Sequence, residues 1–182
     1  MTSVRLVPVI DGALHNPSRF DRLATALGGA LGVPCDVDHN PLAAAFAWDP
    51  ERRQYYSSAL LFRLAARGST SGVRWLGVTP LDLYVPVLTF VFGEAQLGGP
   101  AAIVSWRRLE ETFYGLPDNP DVLEFRLLKE SLHELGHTIG LRHCDNPLCV
   151  MASTHSVELL DEKDAEYCPG CRKFLHLRVA AS

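Results

Sequence analysis

Residues 133–144 read HELGHTIGLRHC, and this stretch is the part of the chain from which both fold and function can be argued. On an α-helix His133 and His137 lie one turn apart on the same face, so both imidazoles can reach a single metal ion. Gly140 can adopt the left-handed conformation that ends a helix, after which the chain turns and His143 approaches the same ion. Three neutral imidazoles with an open fourth position are typical of catalytic zinc.

A bare H-E-x-x-H pattern also occurs on amphipathic helices whose histidines only titrate in solvent. Gly140 and His143 extend the pattern here, which favours metal binding. A competing arrangement takes its third ligand from a glutamate further along the chain. The glutamates available for it are Glu158, Glu162 and Glu166. Because His143 follows Gly140 by three residues, the turn can return it to the metal, and we predict His133, His137 and His143 as the ligands.

The residues before the motif predict the helix that carries it. Asn119, Pro120 and Asp121 supply an N-cap, a first-turn proline and an acid that matches the helix dipole, so the helix should run from about Pro120 to Ile139. One face is expected to pack on the core, and the histidines lie nearly opposite on the face of a cleft. The predicted core stripe consists of Phe125, Leu128, Leu132, Leu135 and Ile139.

Four cysteines follow the histidines in two pairs, C-x4-C and C-x2-C. They are Cys144, Cys149, Cys168 and Cys171. This spacing suits a structural zinc ion with four thiolate ligands. Two disulfides or four scattered buried thiols are the alternatives, but disulfides need an oxidising compartment, and no export signal is visible at the start of the chain. Cys35 is interpreted as an inert thiol of the core.

Together, HELGHTIGLRHC, Cys149, Met151, and the pair Cys168 and Cys171 resemble the archaemetzincin family of zinc metallopeptidases. The family pattern H-E-x-x-H-x-x-G-x-x-H-C, C-x-M, C-x-x-C is complete, although the loop after Met151 is one residue shorter than the usual spacing. Weaker similarity extends to residues 90–95, 105–109 and 113–116. The resemblance implies a zincin or metzincin-like fold in which Met151 forms a hydrophobic floor beneath the catalytic zinc. Gly140, which ends the helix, and Met151 are then the residues that support the site.

The upstream half alternates strands and helices. Residues 4–10 and 35–37 predict two parallel strands joined by a helix that Asn16 and Pro17 open. A second helix is predicted at residues 51–67, with Leu60, Leu61 and Leu64 facing inward and its arginines facing solvent. Further extended segments are predicted at residues 75–78, 83–92 and 101–106. The fold class is therefore α/β (α+β), a mixed, twisted sheet with helices packed on it.

Length and composition indicate one metallopeptidase domain, residues 1–182, with two lobes. The chain has 182 residues, of which 47% are hydrophobic, enough to bury a core. An N-terminal lobe of about residues 1–140 would hold the sheet and the active-site helix. A C-terminal lobe of about residues 141–182 would hold the third zinc ligand, the methionine turn and the four-cysteine site.

Charge and hydropathy exclude several partners. A net charge of −4 argues against nucleic acid. The longest apolar run, at about residues 83–92, is too short to span a membrane. The apolar segment at the start of the chain is interrupted by Asp11 and is too short for the core of a signal peptide. We therefore expect a cytoplasmic monomer that acts on peptides or small proteins.

The predicted function is zinc-dependent hydrolysis of peptide bonds, with two zinc ions per chain, one catalytic and one structural. Glu134 lies beside the metal without binding it and can serve as the general base. The resemblance also implies removal of residues from the N-terminus of a peptide substrate, which is the activity of an aminopeptidase. An alternative is a catalytically silent, zinc-stabilised module that binds or regulates peptides. A purely structural two-zinc protein would leave Glu134 without a role.

Several residues near the motif have two interpretations. Glu130, one turn before Glu134, could shape a pocket, but a solvated surface position is expected. Tyr114 and Tyr167 could donate to an oxyanion, and packing is expected instead. Residues 90–95 predict an edge strand, which either binds extended substrate or is an ordinary edge.

Overall fold

The computed structural model describes residues 1–13, 16–68 and 72–179. Its strands are β1 (Ser3–Ile10), β2 (Cys35–Val37), β3 (Leu42–Ala43), β4 (Trp48–Asp49), β5 (Gln54–Tyr56), β6 (Val73–Thr79), β7 (Leu83–Tyr84), β8 (Gly93–Ala95) and β9 (Ala101–Ser105). Its α-helices are α1 (Ser18–Leu31), α2 (Ser57–Ala65), α3 (Pro120–Ile139), α4 (Val157–Glu162) and α5 (Pro169–Val179).

The main sheet has the strand order β2-β1-β6-β9-β8. The first four strands are parallel, and β8 lies antiparallel to β9 at the edge. The short strand β3 pairs with the end of β1, and β4, β5 and β7 form a second, small sheet. The predicted mixed sheet and its parallel β-α-β start are therefore confirmed.

Helices cover both faces of the main sheet, because successive strand side chains point to opposite faces. Val4 and Leu6 of β1 belong to the core that β1 forms with α1 and α3, whereas Val7 and Val9 belong to the core beneath α2. Within the described residues, no helix is both long and apolar enough to cross a membrane.

The helix that carries the histidines has the predicted ends. The Asn119 side chain accepts a hydrogen bond from the Val122 N–H at 3.3 Å, and Gly140 ends the helix with a φ of 101°. The predicted core stripe is wrong for Phe125, which is 51% exposed and lies under the Lys129 ammonium. Leu123 is buried in that part of the helix instead.

Two upstream predictions were also wrong in their bounds. The helix predicted at residues 51–67 begins only at Ser57, because Asp49 accepts N–H groups from a tight turn and the chain returns as β5. Its inward leucines are buried as predicted. The extended segment predicted at residues 83–92 is interrupted after Tyr84 by a turn closed by the Leu88 N–H on the Val85 carbonyl. Pro86, in this turn, has no N–H to donate to a strand ladder.

The chain beyond α3 forms α4, α5 and the connecting loops, with no strand among its described residues. Its apolar side chains join the core between the sheet and α3. They include Leu141, Val150, Met151, Leu160 and Tyr167. The helix α3 is thereby enclosed from two sides, while the division into two lobes stays a prediction.

Candidate active site

Three imidazoles meet beside α3. His133 and His137 project from the same face of the helix, and the turn at Gly140 returns the chain so that His143 joins them. One ring nitrogen from each histidine lies within 4.8 Å of the others. Among the described residues this cluster contains no carboxylate, so the alternative third ligand among the downstream glutamates is not favoured.

The hydrogen bonds of the two helical histidines identify which nitrogen faces the centre of the cluster. Nδ1 of His133 lies 2.8 Å from the Val150 carbonyl oxygen, and Nδ1 of His137 lies 2.8 Å from the Leu141 carbonyl oxygen. Since a carbonyl can only accept, each Nδ1 carries the proton and donates. Each Nε2 therefore presents a lone pair, which is the form that binds a metal.

The separation of these lone pairs tests the fit of a metal ion. Nε2 of His133 and Nε2 of His137 are 3.1 Å apart. Two acceptors at this distance repel unless a cation lies between them, and two ligands of a tetrahedral zinc ion lie roughly 3.3 Å apart. Burial also lowers the pKa of His133 to about 3, which keeps the ring neutral. The donor set and its spacing fit zinc.

Glu134 is buried between α3 and the edge strand β8. A methyl group on Gly93 would lie 2.7 Å from Glu134 Cγ and 2.7 Å from the Ile103 carbonyl oxygen. The glycine therefore allows the strand to approach the carboxyl. Burial, followed by the charges of Glu130 and Glu94, raises the pKa of Glu134 well above its ordinary value. Such a carboxyl holds a proton more readily than a solvated one.

The cleft in front of the imidazoles has a volume of about 410 Å³. The edge strand β8 forms one wall, α3 forms the floor, and residues 153–155 form the opposite wall. The Gly98 N–H donates to the His137 carbonyl at 2.8 Å, so the loop after β8 is tied to the end of the helix. The predicted edge strand is thus present at residues 93–95 and borders the cleft.

The four paired cysteines converge on a second point. Their sulfur atoms all lie within 4.8 Å of one another, and all five cysteines of the chain are free thiols. The Cys168 N–H donates to Cys149 Sγ at 3.3 Å, and hydrogen bonding, first from the backbone at Cys171, lowers the pKa of Cys168 to about 7. The cluster is compatible with a zinc site, and the disulfide alternative is not favoured.

Cys35 lies apart from the four paired cysteines. Its Sγ donates to the Val33 carbonyl oxygen at 3.5 Å, and burial raises its pKa to about 11. A thiol with a raised pKa carries little of the reactive thiolate near neutral pH. This agrees with the interpretation of Cys35 as an inert thiol.

Comparison with known proteins relates this geometry to a family. The model of peptidase family M54 matches residues 62–177, which include both clusters. The archaemetzincin of Methanocaldococcus jannaschii is 45% identical over 156 residues, covering 86% of this chain and 84% of the relative. The chain belongs to peptidase family M54, the archaemetzincins.

Solved structures agree with the family and the fold. A zinc-dependent peptidase from Methanocorpusculum labreanum matches with a TM-score of 0.84 at 30% identity, covering 94% of this chain and 99% of that one. The archaemetzincin of Methanopyrus kandleri matches with a TM-score of 0.78 at 35% identity, covering 98% and 96%. The metzincin-like fold expected from the motif is confirmed.

Met151 packs against the helix that carries the histidines. It is fully buried, and a methyl group on Gly136 would collide with its sulfur atom. Gly136 stands between His133 and His137 on α3, so the methionine packs against the helix at the level of the imidazoles. The Cys144 N–H donates to the Met151 carbonyl at 2.9 Å, which links this turn to the cysteine cluster.

The prediction of a solvated Glu130 was wrong. Its side chain is only 3% exposed and lines the cleft, and burial raises its pKa to about 7. The loop that follows Met151 borders the same cleft, and its Thr154 side chain forms a hydrogen bond with the Glu130 carboxyl. The spacing signal existed, since Glu130 shares a helix face with His133 and Glu134, but this loop is distant in sequence.

Lys163 is a site residue for which the sequence carried no signal. Its ammonium is buried and donates to the Ala152 carbonyl, to the Val150 carbonyl at 3.4 Å and to Thr154 Oγ1 at 2.7 Å. The Val150 carbonyl also accepts from His133. The lysine therefore holds the segment that orients one histidine.

The hydroxyl groups of Tyr167 and Tyr114 both donate to backbone carbonyls. The buried Tyr167 hydroxyl donates to the Leu132 carbonyl at 2.6 Å, and the Tyr114 hydroxyl donates to the Arg108 carbonyl at 2.9 Å. Neither tyrosine lines the cleft. Tyr167 is buried, as expected for a packing residue, whereas Tyr114 is 46% exposed and lies against the ring of Phe113.

Proposed function

We propose that this chain hydrolyses peptide bonds in peptides or small proteins, with His133, His137 and His143 as ligands of a catalytic zinc ion and Glu134 as the general base. The observation that carries the proposal is the position of Glu134, which is buried beside three convergent imidazoles at the floor of a cleft. Membership of a zinc metallopeptidase family supports the same chemistry.

The zinc ion and Glu134 would have different parts in this reaction. A zinc ion held by the imidazoles of His133, His137 and His143 would lower the pKa of bound water and polarise a carbonyl group. Glu134 accepts a proton from the attacking water and returns it to the leaving amine. The carboxyl must hold the proton until the carbon–nitrogen bond breaks.

A second, structural zinc ion is proposed at Cys144, Cys149, Cys168 and Cys171. Four thiolates close the coordination shell, which is typical of structural zinc. Cys144 directly follows His143, and Met151 comes two residues after Cys149. The second ion would therefore hold the third catalytic ligand and the methionine turn in place.

The edge strand β8 is the proposed binding surface for the substrate backbone. An extended peptide can add to the free edge of a sheet through main-chain hydrogen bonds. Removal of N-terminal residues is the narrower form of the activity that we include in the proposal, and peptides with free and acetylated N-termini test it. The expectations of a monomer and of a cytoplasmic location stay predictions.

The decisive experiment is digestion of a peptide library by purified protein of known zinc content, beside its Glu134→Gln variant. We expect cleavage by the parent protein and a fall by a factor on the order of 10² to 10⁴ in the variant, because glutamine keeps the shape but cannot accept the proton. Undiminished cleavage by the variant would overturn the assignment of the base. Peptide binding without cleavage by the zinc-loaded parent would favour the silent binding module instead.

A further inference from the structure

One buried carboxylate oxygen in the cleft has no partner. Glu130 lies on the same face of α3 as Glu134, with 3% of its surface exposed, and it lines the cleft beside residues 153–155. Its Oε1 atom makes no hydrogen bond to any described residue. A buried polar atom without a partner costs free energy, so its persistence calls for an explanation.

The nearest cation does not supply this partner. Lys163 has three protons, and its contacts are with the carbonyls of Val150 and Ala152 and with Thr154 Oγ1. Since Thr154 Oγ1 accepts from the lysine, its own proton is free to be donated to the Glu130 carboxyl. Burial raises the pKa of Glu130, while the charge of Lys163 and this hydrogen bond lower it. The lysine thus supports one oxygen of Glu130 through the threonine and leaves Oε1 open.

The other carboxylates of the cleft are already engaged. Ser57 Oγ donates to one oxygen of Glu94 at 2.5 Å, and Ser58 Oγ donates to the other oxygen at 2.8 Å. Glu134 has the proposed role of general base. Among the described carboxylates that line the cleft, Glu130 is therefore the one with a buried oxygen that lacks a partner and could accept from a substrate group.

We propose that Glu130 is a specificity-determining residue whose free Oε1 receives a cationic hydrogen-bond donor of the substrate next to the scissile bond. The donor is either the side chain of a lysine or arginine residue or the free ammonium of the substrate N-terminus. Both present N–H groups with a positive charge, and charge-assisted hydrogen bonds are about twice as strong as neutral ones. The inference rests on the proposed peptidase function and names the substrate class of the same site.

The test compares four peptides that differ at two points. The residue beside the cleavage site is lysine or norleucine, which has nearly the same shape without the charge, and the N-terminus is free or acetylated. We expect kcat/KM of the parent protein to favour one cationic form about 10-fold to 100-fold, as a hydrogen bond to a charged group predicts. If lysine is preferred over norleucine, the donor is the side chain. If the free N-terminus is preferred over the acetylated one, the donor is the terminal ammonium.

Two variants locate the origin of this preference. In Glu130→Gln the preference should fall to about 3-fold or less, because the charge is lost while the shape is kept. In Glu94→Gln, whose oxygens are already satisfied by serines, the preference should persist. An unchanged preference in Glu130→Gln, or an equal loss in both variants, would overturn the proposal, since the general field of the cleft would then be responsible.

Calorimetry on the zinc-loaded Glu134→Gln protein keeps the proposal testable if Glu130→Gln does not fold. The same four peptides should bind with the same cationic preference, and equal affinities for cationic and neutral forms would overturn it. Binding with this preference but no cleavage by the parent protein would reject the peptidase function and leave Glu130 as a binding residue. Cleavage without any cationic preference would reject the role of Glu130 alone.

Discussion

His143 and Glu134 differ in what they contribute to the site, and single substitutions separate the two roles. His143→Ala removes one of the three imidazoles, so we expect both zinc content and peptidase activity to fall. Glu134→Gln leaves the imidazoles intact, so zinc content should equal that of the parent protein while activity is lost. Metal analysis of the purified variants, beside the digestion assay, measures both quantities.

The outcome that counts against these roles is equally specific. If Glu134→Gln lost zinc as completely as His143→Ala, then Glu134 would be a ligand or a structural support. The hydrogen bonds of His133 and His137 to backbone carbonyls predict the opposite, because they hold the two rings independently of Glu134.

Gly93 is required by its neighbours rather than by its own backbone. In Gly93→Ala the new methyl group would lie 2.7 Å from the Ile103 carbonyl oxygen, and that backbone cannot move without disturbing β9. We expect a loss of stability on the order of 1–3 kcal/mol and lower peptidase activity, since β8 must move away from Glu134. Thermal unfolding and kcat/KM measure the two effects.

Gly29 provides the matched control for this substitution. It lies on the exposed side of α1, and a methyl group there meets no atom within 4 Å. Gly29→Ala should raise stability by up to about 1 kcal/mol through helix propensity. If Gly93→Ala were as stable and active as Gly29→Ala, the close approach of β8 to Glu134 would not matter for function.

The buried ammonium of Lys163 holds the backbone segment after Cys149, which leads into helix α4. Lys163→Met leaves the Ala152 carbonyl without this donor and removes one of two donors to the Val150 carbonyl. We expect the free energy of unfolding to fall by about 3 kcal/mol, because buried acceptors lose their partners. Zinc should also bind more weakly, since the Val150 carbonyl orients His133. Chemical denaturation and zinc titration measure these effects.

Lys173→Met serves as the control, because Lys173 is exposed on α5. It should change stability by less than about 0.5 kcal/mol. Equal behaviour of the two methionine variants would mean that the ammonium of Lys163 contributes nothing to the segment. Lys163→Arg tests the geometry, since a planar guanidinium cannot reproduce three donations from one atom.

For the whole molecule, we predict two zinc ions per chain with unequal accessibility. His143 is exposed, whereas Cys149 is buried, so mild chelation should remove the histidine-bound ion first. Activity should disappear at this stage while the fold persists. Metal analysis and circular dichroism during chelation follow both changes. A content of one zinc with four freely titratable thiols at the cysteine cluster would contradict the second site.

Cys168→Ser should destabilise the entire chain. Structural zinc contributes directly to folding free energy, and the cysteine cluster is linked to the buried Met151 turn. We expect the Tm to fall by on the order of 10 °C, because each kcal/mol shifts it by roughly 2–4 °C at this length. Cys35→Ser, at a thiol outside the cluster, should keep both zinc ions and nearly the same Tm. An unchanged Tm in Cys168→Ser would contradict the coupling.

The sequence by itself determined the features that depend on local geometry. The spacing of His133 and His137, the cap at Asn119 and the turn at Gly140 predicted a helix whose observed ends are Pro120 and Ile139. One turn of helix and one glycine are enough to bring three imidazoles together, since few backbone angles intervene. The cysteines of each pair are also close in sequence, whereas the meeting of the two pairs depends on how the chain between Cys149 and Cys168 folds.

Tertiary structure alone decided which groups around the motif are buried and what they contact. Glu130 is buried at the cleft that a loop beyond Met151 borders, and Lys163 holds that loop through backbone carbonyls that no sequence pattern marks. Gly93 meets Glu134 only because β8 is the edge strand beside α3. Burial and desolvation arise from segments that are distant in the chain, so the open acceptor in the cleft becomes visible only after the chain has folded.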